Sequence, residues 1–226
     1  MQQKTEHHPA FEEYCECIFE LEEDHVELIQ ARIADRLKFS RASVSEMIKR
    51  MQSESLVNLS GSRIALTETG RKLAEGIVRK HRLAECLLIN VLGLSWSTAH
   101  HEACKWEHVI TDEVELALSK MLGNPTTCPH GNPIPGSGHR SNLLTPLNTI
   151  EVGDSFTVVR ISEELEETVG ALDTLEAHEM FPGRSGTVTT RGSDGGVRVL
   201  MSDSANSVPT AIDSFISSRL LVTTNK

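Results

Sequence analysis

No apolar run in these 226 residues approaches the roughly 18 needed to cross a membrane, and no signal peptide opens the chain. The expected location is cytoplasmic, with no membrane partner. Five cysteines, an odd number without framework spacing, offer no disulfide scaffold and point to reduced thiols. Catalytic signatures are missing too: there is no H-E-x-x-H, no G-x-S-x-G and no Walker motif. An enzyme acting on a small organic substrate is not expected. Positive charge is also short, with 22 Lys and Arg against 32 Asp and Glu and a net charge of −10. A uniform deficit would argue against a DNA binder. The deficit is local, however: Val26 to Leu56 carries six basic residues (Arg32, Arg36, Lys38, Arg41, Lys49, Arg50) against four acidic ones. The excess acid sits in Glu12 to Asp24 and Glu163 to Glu167. Screening confines a surface charge to about 8–10 Å, so the local balance decides.

What is present reads as ordinary globular protein, 38% hydrophobic and 24% charged. The length suits one large domain or two to three small ones. Tyr14, Ile18 and Leu21 recur at helical spacing over residues 11–24. Ile29, Ile33 and Leu37 form a second short stripe, and Lys38 to Arg41 is a turn. Ser40 is a good N-cap for a third helix, Arg41 to Ser53, with Val44, Ile48 and Met51 inward. L-V-N-L-S and R-I-A-L-T, joined by Ser60-Gly61-Ser62, predict a hairpin. Helix, turn, helix and hairpin make a winged helix-turn-helix over residues 1–75. The serine-rich start of the third helix suits entry into a DNA groove: Ser40, Arg41, Ser43 and Ser45 are candidates for phosphates or bases, and Arg50 and Arg63 for phosphates. Glu46 repels phosphate unless it accepts from a cytosine amino group.

Long helices follow over Thr69 to Asn90, from about Thr98 to Lys105 and beyond, and over Asp112 to Leu122. Residues 76–140 are therefore expected to be a helical domain. From Pro125 to Pro146 the chain turns rich in Pro, Gly, Asn and Ser, which reads as a connecting stretch, with the linker proper at 141–150. Short strands over 151–226 suit a small SH3-like (FeoA-like) barrel. The fold class is thus mainly α with small β parts.

The richest chemistry lies in C-K-W-E-H. On a helix, Cys104, Glu107 and His108 at i, i+3 and i+4 share one face, a thiolate, carboxylate and imidazole suited to a divalent transition metal. In isolation such a triplet is more often a buried thiol beside a solvated face. Its company changes that. Glu13 and Glu16 stand one turn apart on the N-terminal helix, so packing of that helix beside Cys104–His108 would let Glu13, joined by Glu16, close the shell. His81, Glu85 and His100 form a second ligand set, which Glu164, Glu166, Glu167 or Asp173 of the last domain could complete. His130 and His139 fall in the connecting stretch and are expected to be exposed, and Cys128 is expected to be a packing thiol.

A-R-I-A-D-R-L, T-G-R-K-L-A, V-R-K-H-R-L-A-E, H-E-A-C-K-W-E-H-V-I-T-D-E-V-E and P-H-G-N-P-I-P-G together resemble the iron-dependent repressors related to the diphtheria toxin repressor. The resemblance runs from about Glu12 to Gly136 and is looser from Glu151 on. It implies a winged-helix domain, a helical dimerisation domain, an SH3-like third domain and two metal sites per subunit. It also implies a homodimer on palindromic double-stranded operators when Fe(II) or Mn(II) is bound. Cys104, Glu107 and His108 match the family's primary site, and His81, Glu85 and His100 its ancillary site. Glu13 stands where classical iron members have methionine; with Glu16 it resembles the acidic pair of the manganese branch, which has a carboxylate in place of Cys104. Ala42 and Glu46 replace the proline and glutamine of the reading helix. The resulting expectation is a repressor of metal-homeostasis genes taking Fe(II) first and Mn(II) second, with other divalent ions substituting in vitro. The alternatives are a manganese-specific regulator of the same family, a metal-dependent hydrolase, or a winged-helix regulator that ignores metal.

Overall fold

The computed structural model describes residues 9–140, 143–202 and 208–225, which cluster into two compact units. The first runs to His81 and adds Glu107–Ile110; the second holds Arg82–Trp106 and the chain from Thr111 onward.

In the first unit, α1 (Pro9–Glu23) buries Phe11, Tyr14, Cys15, Cys17, Ile18, Phe19 and Leu21. α2 (Gln30–Leu37) ends where Lys38 turns left-handed at φ 58°. α3 (Arg41–Ser53) starts as its sequence predicts: the Ser40 hydroxyl accepts from the Ser43 amide at 3.1 Å, satisfying an amide the first turn leaves unpaired. Val44, Ile48 and Met51 are fully buried in the core shared with α1. β1 (Val57–Ser60) and β2 (Arg63–Leu66) pair antiparallel, Ser60 opposite Arg63, with Gly61 at φ 62° in the turn. Helix–turn–helix plus hairpin is the expected winged arrangement. α4 (Glu68–Asn90) follows, and the chain passes into the second unit inside it.

The second unit continues with α5 (Trp96–Trp106) and α6 (Asp112–Met121). Thr111 caps α6, yet no residue of α6 is buried. Beyond lies a six-stranded antiparallel sheet in the order β3-β8-β4-β5-β6-β7. Its strands are β3 (Thr145–Pro146), β4 (Ser155–Ile161), β5 (Ser185–Arg191), β6 (Val197–Met201), β7 (Thr210–Ile212) and β8 (Leu220–Asn225). Three short helices, α7 (Glu163–Glu166), α8 (Ala171–Ala177) and α9 (Ser214–Ser217), cover it. Phe156, Val158, Ile161, Leu165, Leu175, Val199 and Val222 pack with Trp96 in one core.

The Pro- and Gly-rich stretch behaves differently from a tether. Asn132 is fully buried and donates to the Ile161 carbonyl at 3.0 Å, while the His130 carbonyl accepts from the Ile161 amide at 2.8 Å. Arg82, almost fully buried, donates to the Pro133 carbonyl and pairs with Glu163 at 2.6 Å. Gly131 explains how the backbones approach so closely. β4 shifts register between Val158 and Arg160, and a Cβ on Gly131 would stand 2.0 Å from the Val159 carbonyl oxygen. Further on, within the stretch read as linker, Leu147 and Ile150 are buried in the sheet core; residues 141 and 142 lie outside those described.

Gly131 also sits at φ 87°, where side chains are strained. Gly131→Ala should cost about 3 kcal/mol through this strain and the backbone clash. Chemical denaturation of the metal-free protein checks it; a loss below about 0.5 kcal/mol would show that the loop relaxes without penalty.

Candidate metal centre

Residues 12 and 16 are one helical turn apart, so Glu12 and Glu16 share a face of α1 while Glu13 lies about 100° round. In the first unit Glu12 Oε2 is 3.0 Å from His108 Nδ1, and His108 Nε2 is 3.2 Å from Glu107 Oε1. The other Glu107 oxygen is 2.6 Å from His81 Nδ1. Ligand atoms of Glu16, His81 and Glu107 all fall within 4.8 Å of one another. Glu13 is half-buried; burial raises its pKa, His108 opposes this, and the Glu107 charge adds to the rise. Carboxylate oxygens and imidazole nitrogens gathered this closely fit a divalent transition ion.

One sequence expectation changes here. α5 stops at Trp106, so Glu107 and His108 lie in the turn beyond it instead of continuing the helical face of Cys104. The chain is released there to carry both groups into the first unit. Cys104 belongs to the second unit, its sulfur 3.9 Å from His100 Nε2.

The second unit holds its own cluster. His100 Nδ1 lies 3.3 Å from Glu85 Oε1 and 3.4 Å from Glu166 Oε2, and His130 Nδ1 lies 3.2 Å and 2.8 Å from the same two oxygens. Of the four residues left open in the last domain, Glu166 and Glu167 reach His100, the latter at 3.5 Å from Nε2. Glu164 instead pairs with Arg219 at 2.7 Å, and Asp173 lies on α8. His130, expected to be exposed, is fully buried, edge-on to Trp96 with ring centroids 4.7 Å apart. Neither of its ring nitrogens makes a hydrogen bond of good geometry. Cys128 is buried as well, and ligand atoms of Glu85, Cys128 and His130 lie within 4.8 Å of one another.

The electrostatics match this crowding. Desolvation disfavours a charged His100, but Cys104, Glu166, Glu167 and Glu85 outweigh it and hold its pKa well above the ordinary value. His130 rises for the same reason, burial opposing and the Glu166 and Glu85 charges prevailing. Glu166 is held down: burial would raise it, and His130 with His100 more than compensates. Burial pushes the Cys128 thiol up to about 12.

At the surface expected from the sequence to meet DNA, Ser40, Arg41, Ser43, Glu46 and Arg50 are exposed along the start and outer side of α3, and Arg63 is exposed at the wing. Ser45 is half-buried. The Ser40 hydroxyl is engaged by its cap and by Ser43 Oγ at 2.8 Å, and the Arg50 guanidinium lies 5.6 Å from the Phe11 ring centre.

Sequence reasoning missed Glu12, Cys128 and His130. Glu12 could have been found from its i, i+4 relation to Glu16. His130 sits between a proline pair in P-H-G-N-P, whose glycine and buried asparagine mark close backbone packing; composition alone hid that signal.

Comparison with known proteins shows the family. Residues 8–65 match the family of iron dependent repressor N-terminal DNA binding domains, and residues 67–136 match the iron dependent repressor metal binding and dimerisation domain. The chain is 40% identical over 202 residues to the iron-dependent repressor IdeR of Mycobacterium tuberculosis, covering 84% of this chain and 87% of that protein. It is 48% identical over 126 residues to the diphtheria toxin repressor of Corynebacterium diphtheriae, covering 55% and 56%. Among solved structures, a manganese-dependent transcriptional repressor in complex with manganese superposes with TM-score 0.84 at 28% identity, over 95% of this chain and all of that one. The T. acidophilum IdeR structure gives 0.76 at 27% identity over the whole of both chains.

The raised histidines predict a pH dependence with a definite sign. In the metal-free protein, protonated His100 and His130 stabilise the fold fully below about pH 6.5, and this stabilisation is lost as pH climbs towards their elevated folded values. A metal must displace those protons, so its apparent affinity should rise by up to about tenfold per pH unit for each proton released. Calorimetric titrations at pH 6 and pH 8, in buffers of different ionisation heat, measure both quantities. Affinity independent of pH would contradict the assignment.

Proposed function

The chain belongs to the iron-dependent repressor family, so it is a metal-dependent transcriptional repressor and not an enzyme, and we propose that Fe(II) switches it onto palindromic operator DNA as a homodimer. Mn(II) is the second reading, favoured by the oxygen-rich donors of the first unit. The names of the relatives support iron at 40% identity and manganese at 28%.

The observation that carries the proposal is the 3.0 Å approach of Glu12, on α1, to His108. Glu12, Glu13 and Glu16 on α1, with His81, Glu107 and His108, are the residues that would hold the sensing ion. The ion supplies positive charge among carboxylates that otherwise repel one another. α1 in turn shares its core with α3, whose Val44, Ile48 and Met51 pack with Phe11, Tyr14 and Ile18. Fastening the acidic face of α1 to His108 thus narrows the positions open to the reading helix. A population shift giving 10²-fold tighter operator binding needs only about 2.7 kcal/mol of differential metal affinity. The second cluster, with Glu85, His100 and Glu166, is proposed as a further divalent-ion site.

Dimerisation is supported by apolar side chains the second unit leaves in water. Leu116 is 71% and Met121 60% exposed on α6, and Val91 and Leu92 follow α4 with 57% and 56% exposure. Such surface marks an interaction site. A two-fold pair would present two α3 helices about one DNA turn, roughly 34 Å, apart.

Operator duplexes selected from a random pool with Fe(II) under anoxia, then measured by fluorescence anisotropy, test the reading. Binding should tighten at least 10²-fold with Fe(II) over chelator, and Mn(II) should substitute. His108→Ala should abolish the metal response while leaving weak, salt-sensitive binding. Equal affinity with and without metal in the unaltered protein would overturn it. Leu116→Glu should shift sedimentation towards the monomer and weaken operator binding at least tenfold.

A further inference from the structure

We propose that Phe39, set just before the reading helix α3, contacts the bases, its ring packing on the 5-methyl group of a thymine in each operator half-site. The inference rests on the DNA-binding reading of the chain and adds a sequence preference to it.

Position is the first argument. Ser40 is the N-cap of α3, so Phe39 is the residue immediately outside the helix. In a helix-turn-helix the start of the second helix enters the major groove and meets base edges. Phe39 also lies within residues 8–65, the part that matches the family's N-terminal DNA binding domain. Its neighbours Lys38, Ser40, Arg41 and Ser43 are exposed polar groups suited to that setting.

Among them the ring is out of place. Phe39 is 45% exposed, and among the described residues of 9–81 no other large apolar side chain is exposed. A hydrophobic staple accounts for an apolar residue at this point, because Val44 stands at the fourth helical position. It does not account for a phenyl ring left nearly half in water. One ring among hydroxyls and cations is no docking patch for a protein either, since that needs contiguous apolar surface. On the base edges of the major groove, the apolar group that such a ring can meet is the thymine methyl. Adenine, guanine and cytosine present hydrogen-bonding atoms there, which a phenyl ring would cover and leave unpaired.

The ring is also held in place. Its plane lies within 10° of the Tyr14 ring with centroids 6.1 Å apart, and Tyr14 is buried on α1. Stacking on a buried partner fixes the ring before DNA arrives, so little rotamer freedom is lost on contact. On its other side the Ser40 cap, accepting from the Ser43 amide at 3.1 Å, fixes the backbone. Phe39 is both exposed and preorganised.

The test starts from duplexes selected from a random pool in three conditions: with Fe(II), with Mn(II) and with chelator. Each thymine is then replaced in both half-sites by deoxyuridine, which removes the methyl and keeps the pairing. With the unaltered full chain one position should stand out, weakening binding about fourfold per half-site and roughly 15-fold for both, the scale of one buried methyl. Phe39→Ala should bind the thymine duplex more weakly and respond less than about twofold at that position. Phe39→Leu, still apolar, should keep part of the response. Responses at the other thymines should be unchanged in Phe39→Ala, which reports that the domain still folds and docks. A half-site in which no methyl matters, a Phe39→Ala protein with undiminished response, or a chain that enriches no duplex in any condition overturns the proposal. The metal response is read separately, as the ratio of affinities between conditions. Equal binding with and without metal would sink the switch while the deoxyuridine series still decides the role of Phe39, and a flat series would leave the switch intact.

Discussion

Buried carboxylates impose the constraint from which the rest follows. Glu85, Glu107, Glu163 and Glu166 are each less than 5% exposed, and an ionised carboxylate taken out of water without compensation is among the costliest groups a fold can contain. The protein answers each with positive charge of a different permanence. Glu163 has Arg82, a cation that never leaves. Glu107 has His81 and His108, and Glu85 and Glu166 have His100 and His130, whose charge depends on protonation. In the proposed reading an exchangeable ion is the third grade. Fixed charge secures the fold, and conditional charge is left where a response is wanted.

In the proposed mechanism that division lets a metal ion act on α3. α1 is apolar on the side that packs with α3 and acidic on the side that meets His108. The Arg50 guanidinium over the Phe11 ring adds a second tie between the same two helices. A change in charge balance on one face of α1 is therefore felt on the other as a change in packing. Little energy is needed, because packed helices offer discrete arrangements and resist continuous deformation.

Much of this was legible in the residues themselves. Ser40 as N-cap, the inward stripe Val44–Ile48–Met51 and the Ser60-Gly61-Ser62 turn follow from local rules, and they appear where the rules put them. The ligand types were legible as well; their partners were less so. Helical spacing admits Glu12–Glu16 as readily as Glu13–Glu16, and only packing chooses between them. The end of α5 at Trp106 has no strong stop signal, so Glu107 and His108 read as helix. His130 was hidden by its setting: proline and glycine signal irregular backbone, and irregular backbone is usually outside. Here Gly131 and the shifted register at Val159 bring the loop against β4 and reverse that expectation.

The disposition of the thiols has a consequence for durability. Ferrous iron and peroxide together generate oxidants, and under the proposed Fe(II) reading the protein meets both. Thiols react as thiolates, and burial pushes Cys15 and Cys128 up to about 12, far from ionisation at neutral pH. Cys17 and Cys86 are buried too, which leaves Cys104 as the one cysteine of the five with appreciable access to solvent. Oxidative damage is thereby channelled to a single sulfur, on α5 beside His100, so that the first lesion falls at a metal-binding region while the cores of both units stay intact.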